Sequence, residues 1–292
     1  MITINNINNS TDLLFSIPIH EKQNIVNNTI ENIFNFNPNC KIILHINKNF
    51  SSFNKSYSNY HNLFFNYTNI NYTPGEDLLA YHVSNFNYFF NNNIDFKYFI
   101  FCASNELYIK KGAIHYINNY KNGLQIVKYN NEVDWHNFKK NIEENNLILK
   151  LFESINNYTL CGGQTEGQFF EKHIFQKISE YYLNITKNNT FHIDFEAEEI
   201  FPATIINSLE LNHGSPLTLQ NYTNNINFSI DYIKNILNGV TIPEHTIKNQ
   251  LFSPHINHSS ENVYSIKRVD RSFNSIRNYL SNKGIILNNN DF

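Results

Sequence analysis

Two short apolar runs, LLFSIPI over 13–19 and KIILHI over 41–46, bracket a segment over 21–36 that spaces Ile25, Val26, Ile30, Ile33 and Phe34 at helical intervals. Runs of this kind have no polar face to leave in water, so they predict strands covered on both sides. Strand, helix, strand at this spacing is a βαβ unit, which implies a parallel sheet. The alternation continues downstream. A helical stripe of Leu78, Leu79, His82, Val83, Phe86, Phe89 and Phe90 follows a Pro74-Gly75 turn, and KYFIFCA over 97–103 is predicted as a third buried strand. Beyond it the pattern predicts a turn and helix over 107–121, a strand over 124–129, helices over 136–151, 169–183 and 226–237, and a strand or loop followed by a basic helix over 263–280. The expected fold is therefore α/β: a Rossmann-like, mostly parallel central sheet flanked by helices, in one domain. Residues 1–250 would form its core and 251–292 a C-terminal basic strand and helix extension.

A length of 292 residues is enough for one large domain that folds without covalent staples. The three cysteines, Cys40, Cys102 and Cys161, form no CxxC pair and predict reduced thiols. The opening MITINNINNS lacks the basic start and apolar core of an export signal, and no run approaches a membrane span. A cytoplasmic protein is expected, with room for peripheral association at the inner face of the membrane. A net charge of −3 gives no global field for nucleic acid.

Ligands of open parallel sheets sit at the carboxyl ends of strands, which draws attention to Ser104, Asn105 and Glu106 after the third strand. Glu196, Glu198 and Glu199 adjoin an apolar segment that would desolvate one of them toward a working base. A solvated acidic turn is the ordinary reading of such a cluster, and composition does not choose among the three. Lys267, Arg268, Arg271 and Arg277 gather four of the 22 Lys and Arg residues within eleven positions. Guanidinium forks and an ammonium suit a diphosphate, and a solvated basic helix face suits them equally. Three of the nine glycines fall in CGGQTEGQFF, marking a tight loop where backbone approaches something closely. His255 and His258 lack a third metal ligand, and Trp135 is a candidate for stacking on a sugar or for ordinary packing. No phosphate loop, dinucleotide fingerprint or GxSxG elbow is present.

In order, these segments resemble the core-2/I-branching β-1,6-N-acetylglucosaminyltransferase family, which includes peptide xylosyltransferases. FSIPIH, ending at His20, resembles that family's first strand, and LHINK, with Asn47 where Asp is usual, resembles its second. Ser104-Asn105-Glu106-Leu107 stands at the place of its SGxDxPL segment, and CGGQTEGQFFEKHI at its Gly- and Gln-containing acceptor loop. Glu199-Ile-Phe-Pro-Ala-Thr204 is similar to its Asp-Glu, four apolar residues, Thr pattern, with Glu198 in place of Asp. YSIKRV, with Lys267 and Arg268, resembles its basic FxRKF-like segment.

The resemblance implies a GT-A-type fold and an inverting transfer of a sugar, N-acetylglucosamine or another hexose or xylose, from a UDP-sugar to a glycan or lipid-linked glycan. Bacterial surface polysaccharide synthesis is the expected setting. It implies Glu199 as catalytic base. His20, Asn47, Ser104, Asn105, Glu106, Lys267, Arg268 and Arg271 would contact the donor, and Gly163, Gln164, Thr165, Glu166 and Trp135 the acceptor. Basic side chains would replace the metal of other GT-A enzymes, so no cofactor is expected. Two alternatives stay open: a manganese- or magnesium-dependent transferase using Glu106 or the pair Asp194 and Glu196, and a carbohydrate-binding scaffold that keeps the fold without the reaction.

Overall fold

The structure is a computed structural model and describes residues 12–47, 60–67, 77–129, 145–187, 195–220, 228–239, 260–272 and 275–289. The first βαβ unit consists of β1 (Leu13–Pro18), α1 (Gln23–Phe36) and β2 (Lys41–Ile46). β3 (Leu63–Tyr67) is followed by α2 (Leu78–Asn91) and β4 (Tyr98–Phe101). β1 pairs in parallel with both β2 and β4, and β2 with β3. A fifth strand, β8 (Phe169–Glu171), joins antiparallel beside β4, so the sheet order is β3-β2-β1-β4-β8. The result is an α/β protein with a mixed, mostly parallel central sheet flanked by helices.

Successive strand residues go to opposite faces, as a pleated strand requires. Leu14, Ile43, Phe99, Phe101 and Phe170 enter one core with α2. That core is shared by α4 (Asn146–Ile155), α5 (Lys172–Thr186) and α6 (Ala197–Ser208). Leu13, Phe15, Ile17, Ile42, Leu44, Tyr98 and Ile100 enter the opposite core, with α1 and α3 (Ala113–Tyr120). Both faces of the sheet are thus dry, and this is why the strands read as continuous apolar runs.

A smaller sheet places β10 (Ser265–Lys267) between β5 (Glu106–Tyr108) and β9 (Thr218–Gln220). α7 (Ile230–Leu237) and α8 (Ser275–Asn289) pack near it, and α8 also lies against α1. The C-terminal segment is therefore woven into the fold through β10. Two predicted elements differ from the pattern reading. Phe169–Glu171 is strand, since Phe169 and Phe170 pair with Ile100 and Phe99, and the helix starts only at Lys172. Of the strand predicted over 124–129, only β6 (Val127–Lys128) pairs, with β7 (Cys161–Gly162). The Pro74-Gly75 turn and most of the helix predicted over 136–151 lie outside the described residues.

Candidate functional site

Strand order reverses between β1 and β4, and that switch point is where an open α/β sheet leaves a crevice beyond the carboxyl ends of its strands. His20 and Glu21 leave β1 there, and Ser104, Asn105 and Glu106 leave β4. The Ser104 hydroxyl lies 3.1 Å from His20 Nδ1 and ties the two exits together. Lys267, at the end of β10, and the turn after it complete the crevice. Arg268 takes φ +69°, in the left-handed region that costs a non-glycine residue strain, and so redirects the chain toward Arg271. The resulting cleft has a volume of about 610 Å³ and is walled by His20, Glu21, Asn105, Lys267, Arg268, Val269, Asp270 and Arg271.

Its cations are held by specific partners. Glu21, buried beneath the cleft, receives a forked pair of bonds from Arg271, with Nε 2.8 and 2.9 Å from the two carboxylate oxygens. Lys267 is paired with Glu166. Burial draws the Lys267 ammonium down to about 8, against the upward pull of Glu106. It remains mostly charged at neutral pH. His20 is lowered, first by burial and then by Lys267, with Glu21 opposing.

The carboxylate cluster lies at the start of α6. Glu199 is partly buried, and its carboxyl is pushed well above the usual range by burial, then by Glu198 and Glu196. Arg268 and a hydrogen bond with the Thr165 side chain act the other way. Glu199 does not line the cationic cleft; Arg268 and the Thr165-Glu166 loop connect the two. Its neighbour Glu198 turns inward. It is 5% exposed, and its carboxyl is raised to about 8 by burial and by Asp77 and Glu196. Asp77 caps α2 by accepting from the Ala80 amide at 3.0 Å and also receives the Tyr182 hydroxyl.

The way α6 is anchored explains the spacing from Glu199 to Thr204. Pro202 has no N–H, so the Glu198 carbonyl loses its helical donor, and Gln168 Nε2 approaches it at 3.4 Å instead. The Glu199 carbonyl accepts from the Gly163 amide at 3.0 Å. Thr204 Oγ1 accepts from the Cys161 amide at 3.1 Å and donates to the Cys161 carbonyl at 3.0 Å. The helix is thereby stitched along β7 and the loop that follows. Gly163 has to be glycine, because a Cβ there would meet the Gln125 carbonyl oxygen at 2.1 Å.

Several predicted residues sit elsewhere than a binding role would require. Glu106 is wholly buried, with its carboxylate taken by the Ala103 amide and the Thr218 and Ser265 hydroxyls, so it does not face the cleft. Asn105 reaches the cleft wall, but its side chain is spent on the Val269 carbonyl and Arg277. Gln164 points into the protein, donating to the carbonyls of Glu166 and Thr218. Asn47 follows β2 and donates to the Tyr81 hydroxyl at 3.0 Å, outside the cleft. Trp135, Asp194, His255 and His258 lie outside the described residues.

Pattern reading missed Glu21, Asp77 and the inward turn of Glu198. The signal for Glu21 was its place, one residue past His20 at the carboxyl end of a buried strand. A second groove, about 270 Å³ and walled by Tyr116, Tyr120 and His213 among others, contains none of the predicted residues. Among the described residues, no group of three or more His, Cys, Asp and Glu side chains is disposed to hold a metal ion, and no helix is long and apolar enough to cross a membrane. No protein-family model matches the chain, and no curated protein matches it either.

Proposed function

We propose that this chain is an inverting glycosyltransferase with a GT-A-like fold, moving a sugar from a UDP-sugar to a hydroxyl of a glycan or lipid-linked glycan. One arrangement supports the reading most: a carboxylate of raised basicity, Glu199, lies within the field of Arg268, the residue that also walls a cationic cleft at a strand-order switch point. The resemblance of the Glu199 to Thr204 and Lys267-Arg268 segments to the core-2/I-branching family points the same way.

In the proposed reaction, Glu199 takes the proton of the acceptor hydroxyl while that oxygen attacks the anomeric carbon. The bond from that carbon to the diphosphate oxygen breaks, its electron pair leaving with the diphosphate. General-base assistance contributes about a hundredfold to ten-thousandfold. Lys267 keeps donors beyond the one given to Glu166, and with Arg268 it would take up the charge that grows on the diphosphate, at roughly 3 to 4 kcal/mol for each essential donor. Thr165 and Glu166, flanking both partners, would set the position of the acceptor.

The test is Glu199→Gln, assayed for nucleoside diphosphate release from a panel of nucleotide sugars, with and without glycan acceptors. The folded variant is expected to lose transfer by at least about a hundredfold. Near-normal turnover would remove Glu199 from the role, and glycan binding without donor binding by the native protein would favour the scaffold.

A further inference from the structure

Arg277, on α8, is 1% exposed, yet among the described residues none of its hydrogen bonds goes to a carboxylate. Nε donates to the Asp270 carbonyl at 2.9 Å, Nη1 to Asn28 Oδ1 at 2.7 Å, and Nη2 to Asn105 Oδ1. All three acceptors are neutral oxygens. Two of them belong to residues that wall the cationic cleft, and the third lies behind, on α1. The carboxylates that act on Arg277 through space are Glu21 and Asp270. Glu21 is clamped by Arg271, and Asp270 Oδ1 accepts from the Ser272 amide at 2.7 Å. Burying an ion without a directly bonded counter-ion is costly, and neutral donors would tie the same three oxygens together at less cost.

We infer that Arg277 is the electrostatic floor of the cleft: a positioning residue that never touches the ligand, yet fixes the Asn105 and Asp270 walls and biases the site toward a multiply charged anion such as a diphosphate. This deepens the donor-site reading and rests on it. A unit charge one side-chain layer from the ligand, at an effective dielectric of about 20, is enough to change the affinity of such an anion by about an order of magnitude.

Asn28→Asp separates charge from architecture. The new carboxylate keeps the acceptor that Arg277 uses, and the Ser281 hydroxyl, 3.4 Å from Asn28 Nδ2, turns to donate to it. Every contact of Arg277 survives while its charge is neutralised. Titration calorimetry with inorganic pyrophosphate is expected to show binding to the native protein, about tenfold weaker binding to Asn28→Asp, and an unfolding temperature that does not fall. Arg277→Lys, which preserves the charge, is expected to bind more tightly than Arg277→Gln. If Arg277→Gln does not fold, Asn28→Asp carries the test alone. Equal pyrophosphate affinity in native protein and Asn28→Asp would overturn this inference and leave the donor site standing. Absence of binding to the native protein would overturn both.

Discussion

Replacing Glu198 with glutamine is expected to stabilise the protein at neutral pH, by an amount that grows with pH. Glu198 is 5% exposed, and its Oε2 has no hydrogen-bond partner among the described residues. The Leu78 amide at the start of α2 and its own amide support the charged form, but burial and the nearby Asp77 and Glu196 outweigh them and hold the carboxyl near 8, against 4.5 for an ordinary glutamate. The folded state therefore binds this proton more tightly than the unfolded chain. The stabilisation from that proton is complete below about pH 4.5, declines above it, and is lost as pH passes about 8. Across that window each pH unit removes about 1.4 kcal/mol, so on the order of 3 kcal/mol disappears between about pH 5.5 and about pH 7.5. Glutamine stays neutral throughout and keeps an acceptor for the Leu78 amide. At roughly 2 °C per kcal/mol for a chain of this size, the Tm advantage of Glu198→Gln is expected to widen by about 5 °C over those two pH units. Calorimetric melts of both proteins across that range measure it. Parallel Tm profiles would show that Glu198 ionises in the folded protein without cost, and would refute the burial argument.

Thr204→Val keeps shape but strands the buried Cys161 amide and carbonyl, and is expected to cost about 2 to 4 kcal/mol in urea unfolding, with Thr204→Ser costing much less. Because burial holds Lys267 near 8, affinity for a nucleoside diphosphate is expected to fall as pH rises through that value. A flat calorimetric profile from about pH 7 to about pH 9 would place the ammonium outside the contact. Sugar transfer is expected to survive chelation by EDTA, since basic side chains would serve the leaving diphosphate. Loss restored by manganese would favour a bound cation.

The central sheet was legible because β1, β2 and β4 are dry on both faces, and apolar runs this short have the length of a buried strand rather than of a helix. The small sheet was not. β5 and β9 are three residues each, too short for any period to show, and what makes them strands is β10 arriving between them from far along the chain. Phe169 and Phe170 misled for a related reason, since two aromatic residues ahead of an amphipathic helix satisfy its stripe as well as a strand's alternation. At the site, residue type and spacing located the acidic and basic clusters but could not give direction. Glu198 and Glu199 are adjacent and alike in sequence, and only the pinning of α6 through Pro202, Thr204 and Gly163 decides that one turns inward while the other meets Thr165. Glu106 shows the same limit: a carboxylate at the end of a buried strand looks like a ligand until the Thr218 and Ser265 hydroxyls are seen to enclose it.

The position of β10 also sets an order of events during synthesis. Chains emerge from the ribosome N-terminal end first, and domains generally fold as units once enough sequence is available. β1, α1, β2 and β4 have their partners early, so the main sheet has what it needs well before β10 emerges. The cleft does not. Lys267, Arg268 and Arg271 complete it, and the Glu21 and Glu166 carboxylates wait for cations that follow them far along the chain. A nascent chain that has not yet presented β10 and the turn after it would thus carry a formed sheet but an acidic, unfinished crevice, so competence to hold an anionic ligand would come only once residues 265–271 have emerged.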